Sequence, residues 1–480
     1  MLGHDSYPIL IASRIQSFGD LVGTFTEPLM DGRFRAAFYR PVLNLSFALD
    51  YALWGLEPWG YQLSNLLAFA ACASALHLLA RRLADPRAFV APLVAALAFV
   101  FHPTHLEVLP VPARRSAALC GCFMALCLAA QLGPRALERA RPPLAPALWA
   151  LLAIGTKETA FVLPVLCFVG VLLASPRAGG GRVLVQALVS SLPVAAAAGV
   201  ALAARAAVLG RIGGYSDSGL RHLFVDGWPV DPTLVLPQVE MRGTAAAAVI
   251  LGGLAAGLAG TLLFGRRSAE PAAGRTGPSR GLLLAAAWML LVAALIRYNG
   301  LQQPWYLLNP VMAFALTAGL AYGSLGALLE PPAPRGRVAR AGRVSAWVAL
   351  ASLTALLLWH ASYAPPLRRP GGAYAELDRA DARLREFLTN LERRILEAPR
   401  TGTLQTRRMP IKEPPADSGP AVHGAAILHD YSVQAWAELR FPGRPFQTVI
   451  FGADRDPRAE RDFLTLVLPL ADYGHLIRNR

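Results

Sequence analysis

Charge is scarce in this chain, and lysine is scarcer still. Only 16% of the 480 residues are charged and 54% are apolar, whereas an ordinary soluble domain carries about 25% charged residues. That balance argues against a water-soluble globule. Of the 46 basic residues only Lys157 and Lys412 are lysines. Cysteine is also sparse. The five present, Cys72, Cys120, Cys122, Cys127 and Cys167, all fall inside apolar runs, where a thiol packs as a small hydrophobe and neither a disulfide framework nor a Cys120-x-Cys122 metal pair is indicated. No basic stretch followed by a short apolar one opens the sequence, so no signal peptide is visible. No unit of 20–50 residues recurs, which argues against a solenoid.

What the chain has instead is long apolar runs. They lie at about 61–80, 89–102, 116–132, 144–156, 159–175, 183–208, 243–264, 281–297, 305–328 and 345–364. Most approach the roughly 20 residues that a bilayer requires, and the shorter ones are expected to tilt or re-enter. A single run could be a soluble core helix; ten in series predict an all-α polytopic membrane protein of about ten spans.

The net charge of +15 is arranged as a topology signal and predicts no nucleic-acid partner. Arginines crowd alternate loops: Arg81, Arg82 and Arg87; Arg135, Arg139 and Arg141; Arg177 and Arg182; Arg266, Arg267, Arg275 and Arg280; Arg335, Arg337, Arg340 and Arg343. The loops between them hold fewer, so the first set is expected to be cytoplasmic. Counting back from Arg81 places residues 1–60 outside, as an extracytoplasmic loop, and leads to the expectation of one further helix upstream of residue 1. In that loop Ile11, Ile15, Phe18, Val22 and Phe25 repeat at helical steps, as in an amphipathic helix lying at the interface. Residues 61–365 form the multi-helix membrane domain. Residues 366–480 turn polar and read as a small α+β extracytoplasmic appendage, with Leu377, Leu384, Leu388, Leu391 and Ile395 marking one amphipathic helix and a Pro-rich linker after it.

Ionisable groups at membrane boundaries are expensive, so a cluster of them at helix ends points to function. The expected external ends carry His4-Asp5, Arg40, His102-Pro103-Thr104-His105-Leu106-Glu107, Arg114-Arg115, Lys157-Glu158, Arg211, and Arg297 with Trp305-Tyr306. Acids, imidazoles and cations converging at one interface suit a reaction in which a carboxylate deprotonates a hydroxyl while cations stabilise a departing phosphate. His102-x-x-His105-x-Glu107 leaves a divalent metal open, although Pro103 disturbs the helix that would align the ligands; otherwise no cofactor is called for. In a chain that uses arginine nearly everywhere, a lysine at position 157 suggests a geometry that only a compact ammonium satisfies. Glu158 either supports it or caps the following helix.

The stretch Tyr39-Arg40-Pro41-Val42-Leu43, Phe47-x-Leu49-Asp50-Tyr51-x-Leu53-Trp54-Gly55 and Gly60-Tyr61-Gln62-Leu63-Ser64-Asn65-Leu66 resembles bacterial homologues of the transmembrane and TPR-containing O-mannosyltransferases, members of the GT-C class. The resemblance runs on through Phe101-His102-Pro103-Thr104-His105-Leu106-Glu107-Val108, Arg115, Lys157-Glu158-Thr159-Ala160 and Leu163-Pro164, then more loosely through Gly213-Gly214-Tyr215 and Tyr306 to Pro310. It implies a GT-C-like fold in a bacterial cytoplasmic membrane and inverting transfer of mannose or another hexose on the extracytoplasmic side. The implied donor is a polyprenyl-phosphate sugar, and the acceptor a protein, lipid or glycan hydroxyl. On that resemblance Asp5 is the catalytic base and Glu107 its alternative; Arg40, Arg115, Lys157 and Arg211 hold the donor phosphate; and His4, His102, His105, Glu158 and Tyr306 support them. His4 stands where relatives often have a second Asp, Ala117 where they commonly have another, and no TPR array follows. A flippase for lipid-linked sugars and a catalytically inactive relative are the alternatives.

Overall fold

A computed structural model describes residues 2, 5–32, 38–84, 90–102, 104–133, 144–174, 180–210, 278–298, 306–329, 373–397, 402–407, 430–442, 447–449 and 463–468. These residues are mostly helical. Two short helices come first, α1 (Ser6–Ala12) and α2 (Phe18–Thr26), then α3 (Pro41–Trp54) and α4 (Pro58–Leu83). Next are α5 (Ala91–Val100), the one-turn α6 (His105–Val108), α7 (Arg115–Gln131), α8 (Ala145–Thr156), α9 (Leu163–Ala174) and α10 (Gly180–Leu209). The bundle ends with α11 (Pro278–Tyr298) and α12 (Leu308–Leu329). Prolines sit in the first turns of α3, α4, α5 and α8, where the missing N–H costs nothing and the fixed φ favours helix entry. Between α3 and α4 the chain turns through Gly55 at φ +58°, a conformation that a β-carbon disfavours.

Eight of the ten apolar runs coincide with helices; those at 243–264 and 345–364 lie outside the described residues. Among the described residues, three helices are long and apolar enough to cross a membrane: Pro58–Leu83, Pro112–Gln131 and Gly181–Leu209. The apolar segments of the other helices, over residues with described side chains, run 10–17 residues. The shortest, α5, is about 15 Å long at 1.5 Å per residue, half of a 30 Å hydrocarbon core. Among the described residues, helix length thus supports three full spans of the ten expected.

The packing is made by small residues. α4 packs on α7, α7 on α8, α5 on α12, α9 on α10 and α11 on α12. Alanine, glycine and cysteine line these seams, as in membrane bundles where backbones approach closely. A β-carbon on Gly319 of α12 would lie 2.5 Å from the Ala91 carbonyl oxygen and 2.6 Å from the Ala95 β-carbon of α5. All five cysteines are buried free thiols. α7 is central, whereas α10 stands at the edge and turns Leu184, Val185, Leu188, Val189, Leu192 and Val200 outward. Outward apolar side chains on such a helix suit an acyl-chain environment.

The N-terminal amphipathic segment is two helices rather than one. Ser17 accepts from the Asp20 backbone N–H at 3.2 Å and Asp20 Oδ2 accepts from Ser17 N at 2.8 Å, a capping box that starts α2 anew. Phe18 is 80% exposed, and Ile15, Val22 and Phe25 are exposed as well. In the tail, α13 (Ala373–Glu397) and α14 (Asp430–Arg440) accompany three short antiparallel strands, β1 (Gly402–Arg407), β2 (Gln447–Val449) and β3 (Phe463–Leu468), in the order β1-β3-β2. Leu384, Leu388, Leu391 and Ile395 are buried along one face of α13; the side chain of Leu377 lies outside the described residues. These residues join a second core, separate from that of the bundle, to which α1 and α3 also contribute.

Candidate active site

The end of α8 is where the chemistry gathers. α8 closes with Lys157 N–H donating to Ala153 O at 3.0 Å, after which Lys157 is extended (φ −159°, ψ 142°) and a 3-10 turn, Glu158–Val162, leads into α9. The reversal puts a cation and an acid side by side at one end of two apolar helices. Arg40, immediately before Pro41 opens α3, reaches Glu158 with Nη2 at 2.7 Å and Nε at 3.2 and 3.3 Å from its two oxygens. Arg205, near the last turn of α10, donates from Nη1 to Glu158 Oε1 at 3.0 Å. One carboxylate thus receives two guanidinium groups from helices far apart in sequence.

Lys157 is almost fully buried, with its ammonium 4.7 Å from the centre of the Tyr306 ring, a cation–π contact. Burial, and then the positive charge of Arg40, push the Lys157 ammonium down to about 8. Burial would raise the Glu158 carboxyl, but the charge and hydrogen bonds of Arg40, with the charge of Arg205, outweigh it and hold the group at about 2. Glu158 is therefore ionised at any physiological pH. Three cations, Arg40, Arg205 and Lys157, thus gather around the one carboxylate of Glu158. Such a grouping, framed by guanidinium forks, is suited to a phosphate or another oxyanion.

A second buried centre lies nearby in sequence but differs in kind. Arg115, at the start of α7, pairs with Asp50 of α3 through Nη2. It donates from Nε to Asn65 Oδ1 at 2.7 Å and from Nη2 to Tyr61 O at 3.2 Å. Its guanidinium stacks 5.1 Å from the Phe47 ring, and Ser64 Oγ donates to the other Asp50 oxygen at 2.7 Å. Both ionic side chains are 3–4% exposed. The structure thus gives Arg115 partners other than the donor phosphate that the resemblance implies: a buried Asp50 must be neutralised, and Arg115 does it.

The remaining expected residues fall as follows. Asp5 is the residue from which α1 starts, and its backbone oxygen accepts from Ile9 N at 3.1 Å. Ser6 Oγ accepts from Ala113 N at 3.2 Å, which seats the start of α1 on the turn that carries Arg114. Arg114 in turn contributes, as the smallest of several causes, to the lowering of Lys157. His102 Nδ1 accepts from Thr104 N at 3.2 Å, and His105 Nδ1 donates to His102 O at 2.6 Å; burial lowers the His105 pKa. Both imidazoles therefore use a ring nitrogen to shape the backbone after α5. Glu107 lies on α6, with its side chain outside the described residues, as do His4 and Arg211 entirely. Among the described residues, no three of His, Cys, Asp and Glu gather as metal ligands.

Asp50 and Arg205 were not among the expected site residues. Each is a lone charge in an otherwise apolar stretch, and that is the signal by which it could have been found.

Comparison with known proteins gives a limited match. No protein-family profile matches the chain, and no solved structure matches it. The likeness is to protein O-mannosyltransferases. The chain is 36% identical over 90 residues to protein O-mannosyl-transferase tmtc2 of Xenopus laevis, a stretch covering 19% of this chain and 10% of that protein. It is 35% identical over 98 residues to Tmtc1 of Drosophila melanogaster, covering 20% and 11%. With human TMTC2 it shares 38% over 69 residues, covering 14% and 8%. The matched stretch thus spans about a tenth of these relatives' length.

Proposed function

We propose that this chain is a membrane glycosyltransferase that moves mannose or another hexose from a polyprenyl-phosphate-linked donor to an acceptor hydroxyl at the extracytoplasmic face, with inversion. The observation that carries the reading is the gathering of Arg40, Arg205 and Lys157 around Glu158. An isoprenyl phosphodiester bears one negative charge in the donor and nearly two once the sugar has left. Fixed cations at the ends of α3, α8 and α10 therefore interact more strongly with the transition state than with the ground state.

In this reading Asp5 takes the proton of the acceptor hydroxyl, whose oxygen bonds to the anomeric carbon as the bond to the phosphate oxygen breaks. Arg40, Lys157 and Arg205 hold the leaving phosphate, and the Tyr306 ring keeps the Lys157 ammonium facing it. Arg115 is a structural member of the Asp50 centre. Glu107 is the alternative base. Mannose is the first sugar to test, and a protein hydroxyl the first acceptor, because the partial relatives are named protein O-mannosyl-transferases.

The test is transfer of label from radiolabelled polyprenyl-phosphate mannose, and then from other hexose donors, in membranes containing the protein. Transfer that is lost in Asp5→Asn and in Lys157→Ala supports the reading. Full activity of Asp5→Asn removes Asp5 as the base. Movement of the donor across the bilayer without transfer replaces the reading with a flippase.

A further inference from the structure

We infer that the C-terminal helices α13 and α14 are a brace that positions α1, and with it Asp5, so that residues near the end of the chain set the geometry of the acid at its start. This inference rests on the proposed role of Asp5 as base.

α1 needs an external support. It has seven residues and no side-chain cap at its start, and isolated helices shorter than about 12–15 residues are marginal in water. Its buried side chains Tyr7, Ile9 and Leu10 are only 0–5% exposed. They do not enter the core of the membrane bundle; they belong to the second core, with Leu384, Leu388, Leu391 and Ile395 of α13 and Val433, Trp436 and Leu439 of α14. α14 is the element against which α1 packs most extensively, ahead of α3 and the turn Leu29–Gly32. The apolar stripe of α13 is continuous over four positions at helical spacing, and Arg440 at the end of α14 pairs with Glu392 of α13 at 2.8 Å. The two tail helices thus form one wall. α1 lies between that wall and the turn bearing Arg114, held to the turn by the Ser6–Ala113 bond.

Trp436→Ala in the full-length protein tests the brace, with Trp436→Phe as the conservative partner and two readouts: amide hydrogen exchange of residues 6–12, and the separate effects on kcat and on the donor KM. Exchange across α1 is expected to rise about tenfold or more as the wall opens, and kcat to fall by about 10–100-fold because the acid is misplaced. The donor KM should stay within about twofold, since Arg40, Lys157 and Arg205 lie in other elements. Trp436→Phe should restore both readouts. Unchanged α1 exchange overturns the brace, and so does faster exchange with unchanged kcat. Where Trp436→Ala does not fold, Leu439→Ala is judged by the same outcomes. If the wild-type chain transfers no sugar, the reading of the site fails while the brace is still judged by exchange: selective loss of α1 protection with α7 and α8 intact supports it, and no change overturns it.

Discussion

Two buried ionic centres meet α3, one before its first turn at Arg40 and one towards its other end at Asp50, and they differ in how many cations face each carboxylate. Asp50 and Arg115 pair one to one, with further buried partners on each: Ser64 on the acid, Asn65 and the Tyr61 carbonyl on the base. Glu158 faces Arg40 and Arg205 beside Lys157 and is 23% exposed. The closed pair locks α3 and α4 to α7. The other group draws two guanidinium groups and an ammonium around one carboxylate that is partly open to solvent. Burial alone does not distinguish the two centres; the number of cations and the exposure of the acid do.

That contrast is easiest to break from the closed side. Asp50→Leu strands a buried guanidinium and should destabilise the protein by about 3–5 kcal/mol, measured by unfolding in detergent; a loss below about 1 kcal/mol would show that the pair is not shielded. On the open side, Lys157→Ala should leave folding intact and lower kcat by about 100–1,000-fold, the usual effect of removing one group that stabilises developing charge. If instead stability drops and the residual activity is normal, the two centres are of one kind.

The pH profile gives a smaller and sharper effect. An ordinary lysine keeps its proton to about 10.4, whereas Lys157 is pushed down to about 8. The ammonium is therefore lost as pH rises through that value, and kcat/KM should fall by about tenfold per unit above it. Lys157→Arg should remove the fall even if it lowers the maximum. A profile flat to pH 10 would argue that the ammonium is not needed. The smallest effect belongs to the double variant Asp50→Leu/Arg115→Met, expected within about 1 kcal/mol of the native protein because replacing both partners leaves no stranded charge.

Much of the helical frame was legible from sequence, because an apolar run near the bilayer length has few alternatives to helix. The lengths were less legible: the run at 159–175 begins in a 3-10 turn, and that at 89–102 holds a helix ending at Val100. Lys157 stood out by composition and Glu158 by adjacency. What they touch did not, since Arg205 arrives from α10 and Arg40 from before α3, and no local pattern encodes a contact across more than forty residues. The break between α1 and α2 was written in Ser17 and Asp20, a capping pair that the apolar periodicity concealed. The stripe on α13 read as one amphipathic helix, and Leu384, Leu388, Leu391 and Ile395 are buried along it, while its partner at the other end of the chain was invisible to periodicity.

The contact at Gly319 gives the bundle a fulcrum. Eleven residues separate it from the start of α12, about 16 Å of rigid rod, and at that end the Tyr306 ring covers the Lys157 ammonium. Because the backbones of α5 and α12 touch at Gly319, a single added methyl group must tilt or shift the rod. A residue with no side chain thus fixes how closely the rod that follows the Tyr306 ring lies on α5.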